Sequence, residues 1–158
     1  MDIFDPETRS AIMRAIRSRD TQPELRVRRA AHALGLRFRL RRRDLPGSPD
    51  LVFPRRRLAL FIHGCFWHGH DCGGRRRRPA TNAAYWRAKI AGNRRRDRRV
   101  LKALTAMGWR TMVIWECDTR NPARLSPYLK RISRLSRAHR GKEKRRRARP
   151  LCKAAPLL

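Results

Sequence analysis

Cys65-Phe66-Trp67-His68-Gly69-His70-Asp71-Cys72 puts two thiols and two imidazoles into eight residues, inside a stretch from 64 to 80 that is otherwise rich in Gly, Arg and Pro. A loop of that length inside a compact domain is unusual unless something pins it. A third thiol, Cys117, follows the apolar run Thr111-Met112-Val113-Ile114-Trp115, which reads as a buried strand. Cys65, His70, Cys72 and Cys117 can close a tetrahedron, the geometry of structural zinc, and would tie the loop to the end of a distant strand. His68 is then left free two residues from a ligand, as a reactive histidine beside a rigid anchor would be. The spacing is not that of a zinc finger or ribbon, so reduced buried thiols remain the alternative. Cys152 has no assigned role.

The remaining segments supply elements for such an anchor to hold. Asp5-Pro6 reads as an N-cap and first helical position, followed by a short helix with Ile12, Met13 and Ile16 on its apolar edge. Thr21-Gln22-Pro23-Glu24 has the form of a capping box opening a second helix, with Leu25, Ala31 and Leu34 inward and Gly35 as the stop. Strands are expected at 37–42, 50–53 and 58–63, the first two separated by the turn-rich Leu45-Pro46-Gly47-Ser48-Pro49. Trp86, Ile90, Asn93, Asp97, Leu101 and Leu104 recur at intervals of three or four, so a long helix is expected over 83–107. A last helix over 122–138 would turn Leu125, Leu129 and Ile132 inward, with Trp109 and Trp115 left in the core. The order predicts one domain of the α/β (α+β) class, a mixed central sheet flanked by helices.

Charge bears on partners. Lys plus Arg number 42 against 12 Asp plus Glu, a formal +30, and +19 of this lies on residues 1–129. With 41% hydrophobic residues the chain still has material for a core. Such a surface concentrates polyanions by counterion release, so DNA or RNA is the expected partner and binding should be salt-sensitive. An acidic membrane surface is the weaker rival, and solvated arginine-rich faces the bland one. No stretch approaches the ~18 apolar residues of a membrane span and no signal-peptide pattern opens the chain, so the expected compartment is the cytoplasm.

The strings HGCFWHGHDC, PGSPD before it, and YWRAKIAGNRRRD and GWRTMVIWEC after it resemble the very short patch repair endonucleases. TRSAIMRAIRSRDTQPE looks like that family's opening helix, and the likeness covers about residues 6–120. The resemblance implies a type II restriction endonuclease-like fold with a structural zinc site. It also implies a bacterial DNA mismatch endonuclease that nicks the T-containing strand 5′ to the thymine of a T:G mispair, the product of 5-methylcytosine deamination. Residues 1–136 would form the endonuclease domain, with 1–19 as a DNA-contacting helix, and 137–158 a basic, flexible tail. The implied partners are double-stranded DNA carrying the mispair and mismatch-repair proteins, with the enzyme a monomer.

Residue by residue, the resemblance makes Asp50 the carboxylate that holds catalytic Mg2+, together with the backbone carbonyl of Ile62, an oxygen set that suits this cation. No Asp or Glu lies between 51 and 70, so the neighbouring strand supplies no second carboxylate. His68 becomes the general base, His63 its assistant at the phosphate or metal-bound water, and Glu24 a further contact to that water or to the histidine. Phe66, Trp67 and Trp86 become a wedge from the major-groove side, and Met13 and Ile16 approach through the minor groove. Lys89 and Asn93 bond the mispaired bases. Each has a plainer reading: Asp50 as a turn cap, His63 as a strand end, Glu24 as half of a capping box, Trp86 as core, Lys89 as a phosphate contact, Asn93 as a partner of Asp97 or Arg96. Gly69 and Ile62 depart from side chains that some relatives carry there. Two other functions stand beside this one: a zinc-stabilised, noncatalytic nucleic-acid-binding protein, and a nuclease of the same superfamily without mismatch preference.

Overall fold

The computed structural model describes residues 8, 20–40, 42–72 and 82–135. The expected first helix with Met13 and Ile16, the run Arg75 to Arg78 and the basic tail lie outside the described residues. Helix α1 spans Gln22–Ala33, strands β1 and β2 span Leu51–Phe53 and Leu58–His63, and helix α2 spans Ala83–Ala106. Strand β3 (Arg110–Trp115), the short helix α3 (Glu116–Thr119) and helix α4 (Pro122–Arg134) follow.

The strands form a mixed sheet in the order β1-β2-β3. β1 and β2 run antiparallel, with Leu51 opposite Leu60, while β2 and β3 run parallel, from Leu58 opposite Arg110 to His63 opposite Trp115. A parallel pair needs a long crossover, and α2 provides it. Period-two alternation then sorts the side chains. Leu58 and Leu60 of β2 pack with Met112 and Ile114 of β3 against Val27 and Ala31 of α1 and Leu125, Leu129 and Ile132 of α4. Ala59 and Phe61 point the other way, to Leu104 of α2. β2 is thus covered on both faces, as its continuous apolar run requires. Each fully buried Leu, Ile or Phe contributes about 1.5–3 kcal/mol, enough in sum to close a core under a strongly charged surface.

Three expectations change. The strand at 37–42 shrinks to a single bridge, Arg39 exchanging both backbone hydrogen bonds with Val52 at 2.7 and 2.8 Å. β1 offers only three residues to pair with, and Leu40, on the arginine-rich side of the bridge, is left exposed. On α1 the buried stripe is Glu24, Val27 and Ala31, whereas Leu34 is the C-cap residue and is 56% exposed. The chain turns away at Gly35, with φ 65°, and Leu36 takes the inward place. The capping box is replaced by another arrangement: the Thr21 side chain accepts no helix N–H, its hydroxyl instead donates to Glu24 Oε1 at 2.8 Å, and Oε2 accepts the N–H of Asp20, not of Thr21, at 3.1 Å. Among the described residues no helix is long and apolar enough to cross a membrane.

Candidate active site and metal cluster

The parallel register of β2 and β3 builds the anchor. His63 lies opposite Trp115, so Cys65 and Cys117, each two residues further on, emerge at the same end of the sheet. A run of turns then folds residues 64–70 back, with the His70 N–H donating to the Cys65 carbonyl at 2.9 Å. Cys65, His70, Cys72 and Cys117 come together with their ligand atoms within 4.8 Å of one another. Buried Glu116 accepts the Cys65 N–H at 3.3 Å and pairs with Arg120 at 2.8 Å. Burial pushes the Cys65 thiol above its ordinary range and Cys117 up to about 12, with neighbouring Cys65 and Asp118 adding to the latter. Three thiols and one imidazole converging in this way can hold a metal ion.

Gly69 permits the loop's path. Its φ is 63°, and a Cβ there would stand 2.7 Å from Ile90 Cγ2 of α2. Gly69→Ala is expected to lower the urea unfolding midpoint by the equivalent of about 1–3 kcal/mol, from the left-handed backbone and the overpacked contact. An unchanged midpoint would refute this close approach.

His68, which the sequence leaves free, is clamped. Its Nδ1 lies 2.6 Å from Asp97 Oδ2 on α2, and its ring stacks on His63 at 3.8 Å and 10°. The carboxylate can only accept, so Nδ1 carries a proton, and it is Nε2 that carries the lone pair when the ring is neutral. Burial, and then the charge of His68, push His63 down to about 4, so it is neutral at neutral pH. His63, His68 and Asp97 also have ligand atoms within 4.8 Å. Stacked parallel rings, however, present their in-plane lone pairs side by side instead of converging, an arrangement for proton transfer more than for a cation. Asp97 was absent from the candidates, although a lone acidic residue on the inner face of a helix, among Arg94 to Arg99, signals an inward partner. Trp115 is likewise not core. It is half-buried, stacks on His70 at 4.1 Å and 6°, and meets His63 edge-on at 5.5 Å and 74°.

Asp50 reaches from the head of β1 to the next strand, its Oδ2 accepting the Ile62 N–H at 2.7 Å. Because β1 begins at Leu51, opposite Leu60, Ile62 runs past its end and leaves that edge to the carboxylate. A strand residue's N–H and C=O point to the same edge, so the Ile62 carbonyl projects on the Asp50 side. Burial pushes the Asp50 carboxyl up to about 6; the Ile62 N–H opposes this, the Glu24 carboxylate adds to it and the Arg28 guanidinium opposes it. Glu24, buried on α1, is held by Thr21, Asp20 and an ion pair with Arg28 at 2.8 Å, so its capping bonds and its proximity to Asp50 coexist. Asp50 itself stands outside both clusters of metal-capable groups.

Phe66, Trp67 and Trp86 are brought together, half-buried, with ring centroids 5.1–6.1 Å apart and planes crossing at 60–82°. Tyr85, exposed and 5.2 Å from Trp86, extends the group and was missing from the candidates. Asn93 Nδ2 donates to the Trp67 carbonyl at 2.9 Å, while Arg96 stands 3.5 Å from Asn93 Oδ1, too far for a strong bond. Asp97 is engaged by His68 and not by Asn93. Exposed Lys89 lines a shallow hollow of about 430 Å3 with Tyr85, Asn93, Arg96 and Arg99. Arg87, Arg94, Arg95 and Arg98 line another of about 350 Å3 along the same helix. A basic helix carrying clustered rings is a surface suited to nucleic acid.

A histidine held by a carboxylate, a buried aspartate and a basic, ring-bearing face are chemistry that a DNA endonuclease can use, and similarity to known proteins identifies that class. Residues 1–74 match the family model described as DNA mismatch endonuclease Vsr. The type II nicking enzyme V.XorIIP of Xanthomonas oryzae pv. oryzae is 49% identical over 131 residues, 83% of this chain and 96% of the relative. The DNA mismatch endonuclease Vsr of Escherichia coli is 43% identical over 125 residues, 79% of this chain and 80% of the relative. The type II nicking enzyme V.NmeAIP of Neisseria meningitidis is 37% identical over 133 residues, 84% of this chain and 94% of the relative. The chain belongs to the DNA mismatch endonuclease Vsr family.

Proposed function

We propose that this endonuclease nicks the T-containing strand of duplex DNA 5′ to the thymine of a T:G mispair, the lesion left by 5-methylcytosine deamination, and so initiates very short patch repair. One observation carries the reading: His68, held by Asp97, shares a single short turn with Phe66 and Trp67, which puts a hydrolytic base beside a wedge. Residues 1–136 are assigned to the endonuclease domain, of type II restriction endonuclease-like fold, with 1–19 contacting DNA and 137–158 a basic tail. The enzyme acts as a monomer in the cytoplasm, with mismatch-repair proteins as further partners.

Asp50 and the Ile62 carbonyl are the hard-oxygen pair assigned to Mg2+, and a buried carboxylate with a second one nearby, Glu24, fits a divalent cation. When bound, that cation supplies Lewis-acid polarisation of the phosphodiester. The chain's own groups handle the proton. His68 Nε2 takes it from the attacking water, and Asp97 stabilises the resulting imidazolium through Nδ1–H. Neutral His63 offers a hydrogen bond to the phosphate, and Glu24 orients the water. Phe66, Trp67 and Trp86 open the step at the mispair from the major groove while Met13 and Ile16 enter the minor groove, an unstacking of a few kcal/mol offset by ring stacking. Lys89, and Asn93 through Oδ1, read the displaced wobble edges. Cys65, His70, Cys72 and Cys117 hold structural zinc.

Purified protein with Mg2+ is expected to nick a T:G duplex on the T strand and to leave matched C:G and T:A duplexes intact, as read on a strand-labelled denaturing gel. Equal cutting of all three would remove the mismatch claim. His68→Ala should retain DNA binding and lose the nick.

A further inference from the structure

We propose that Trp115 is a positioning residue that couples the metal cluster to the hydrolytic histidines. The inference rests on reading His68 as the base and the Cys/His cluster as a metal site. A continuous set of ring contacts runs from one to the other. His70 of the cluster lies flat on Trp115 at 4.1 Å and 6°, Trp115 meets His63 edge-on at 5.5 Å, and His63 lies flat on His68 at 3.8 Å. The backbone supports the same path, because His63 and Trp115 are partners in the parallel ladder and each is followed two residues later by one cluster thiol, Cys65 or Cys117.

The bond to Asp97 fixes His68 at one point, Nδ1, and leaves the ring free to swing about it, carrying Nε2 with it. Among the described residues the flat face of His63 opposes that swing, and Trp115 in turn packs across the plane of His63. Trp115 is itself held flat by an imidazole that metal binding would immobilise. Its ring belongs to neither the wedge nor the inward-facing Leu104 cluster. A role limited to packing would therefore change stability, whereas a positioning role changes the base.

Trp115→Leu is expected to lower kcat about 10- to 100-fold, since an ångström of misplacement at a reacting group costs on that order. DNA affinity and metal content per chain should be unchanged. In the magnesium-free protein the imidazole proton resonances of His63 and His68 should move. Trp115→Phe keeps a flat ring on His70 and should restore most of kcat and of the resonance positions; it also serves if the leucine variant fails to fold. Variants with wild-type kcat and unmoved resonances would overturn the coupling. His68→Ala, run alongside, separates the two claims: wild-type nicking by that variant would strike at the reading of the base, whereas loss of nicking there with intact Trp115→Leu would strike at the coupling alone.

Discussion

Asp50→Asn is expected to abolish nicking and, in buffer without magnesium, to make the protein more stable than the wild type. The amide keeps an oxygen for the Ile62 N–H but withdraws a buried charge. In the folded chain the Asp50 carboxyl titrates at about 6 against an ordinary 3.8, mainly because burial strips its water. A folded-state pKa above the unfolded one means the native state holds the proton more tightly. The associated stability is therefore complete below pH ~4 and is lost as pH rises through ~6, an ionisation cost on the order of 2–3 kcal/mol at pH 7. Divalent cation binding at the proposed site would offset that cost. His63 has the opposite sign: its pKa falls from 6.5 to about 4, so its contribution is present above pH ~6.5 and is lost on acidification. Between pH 4 and 6 the two slopes oppose each other in the wild type. In Asp50→Asn the histidine slope stands alone, so the variant's advantage, measured by urea unfolding, should shrink steadily as pH falls through that window. An advantage independent of pH would mean that Asp50 is not a strained, desolvated carboxylate.

How much of the fold is legible in the sequence depends on how local each signal is. The run Leu58–His63 is bounded by Arg57 and Gly64 and is apolar up to its last residue, so both strand ends are legible, and the three-or-four spacing from Trp86 to Leu104 marks α2 to within a residue. The four metal-capable residues are also legible, because three lie in one loop and the fourth follows a strand with an unambiguous apolar core. The strand at 37–42 failed because pairing depends on the partner, and β1 is too short to supply more than one bridge. Asp97 and Trp115 were passed over for a different reason. Each looks ordinary within its own element, one an acidic residue on a basic helix, the other an aromatic at a strand end. Their significance arises only when the parallel register sets β3 beside β2 and the crossover lays α2 over the same end of the sheet. Asn93 lies between the two cases: its place on the inner face was legible, but its bond to the Trp67 carbonyl depends on the fold of the loop.

Removing the metal of the Cys/His cluster should have the largest effect on stability. Purified protein is expected to carry about one equivalent of zinc, and its withdrawal by a strong chelator, or Cys117→Ser, should cost several kcal/mol and release residues 64–72 from the end of the sheet. Bonds from Glu116, Asp97 and Asn93 tie residues 65, 68 and 67 to the body of the protein, but the loop's apolar rings are only half-buried, so a metal joining Cys72 and His70 to Cys117 would be the tie that holds its far end to the sheet. The thiol chemistry adds a sharper test. Burial raises Cys65 and takes Cys117 to about 12, so in the metal-free protein both are protonated at neutral pH and must give up their protons to become thiolate ligands. Zinc binding should therefore release at least two protons, measurable with a dye in weak buffer, and zinc affinity should fall by at least about 100-fold for each unit that pH drops below neutrality. Neutral thiols do not repel one another, so the parallel register and the Cys65 N–H bond to Glu116 can bring buried Cys65 and half-buried Cys117 within reach of a common centre before any cation arrives. A metal-free preparation with an undiminished unfolding midpoint, or zinc uptake without proton release, would leave the cluster as packed thiols and remove the anchor on which the loop's geometry depends.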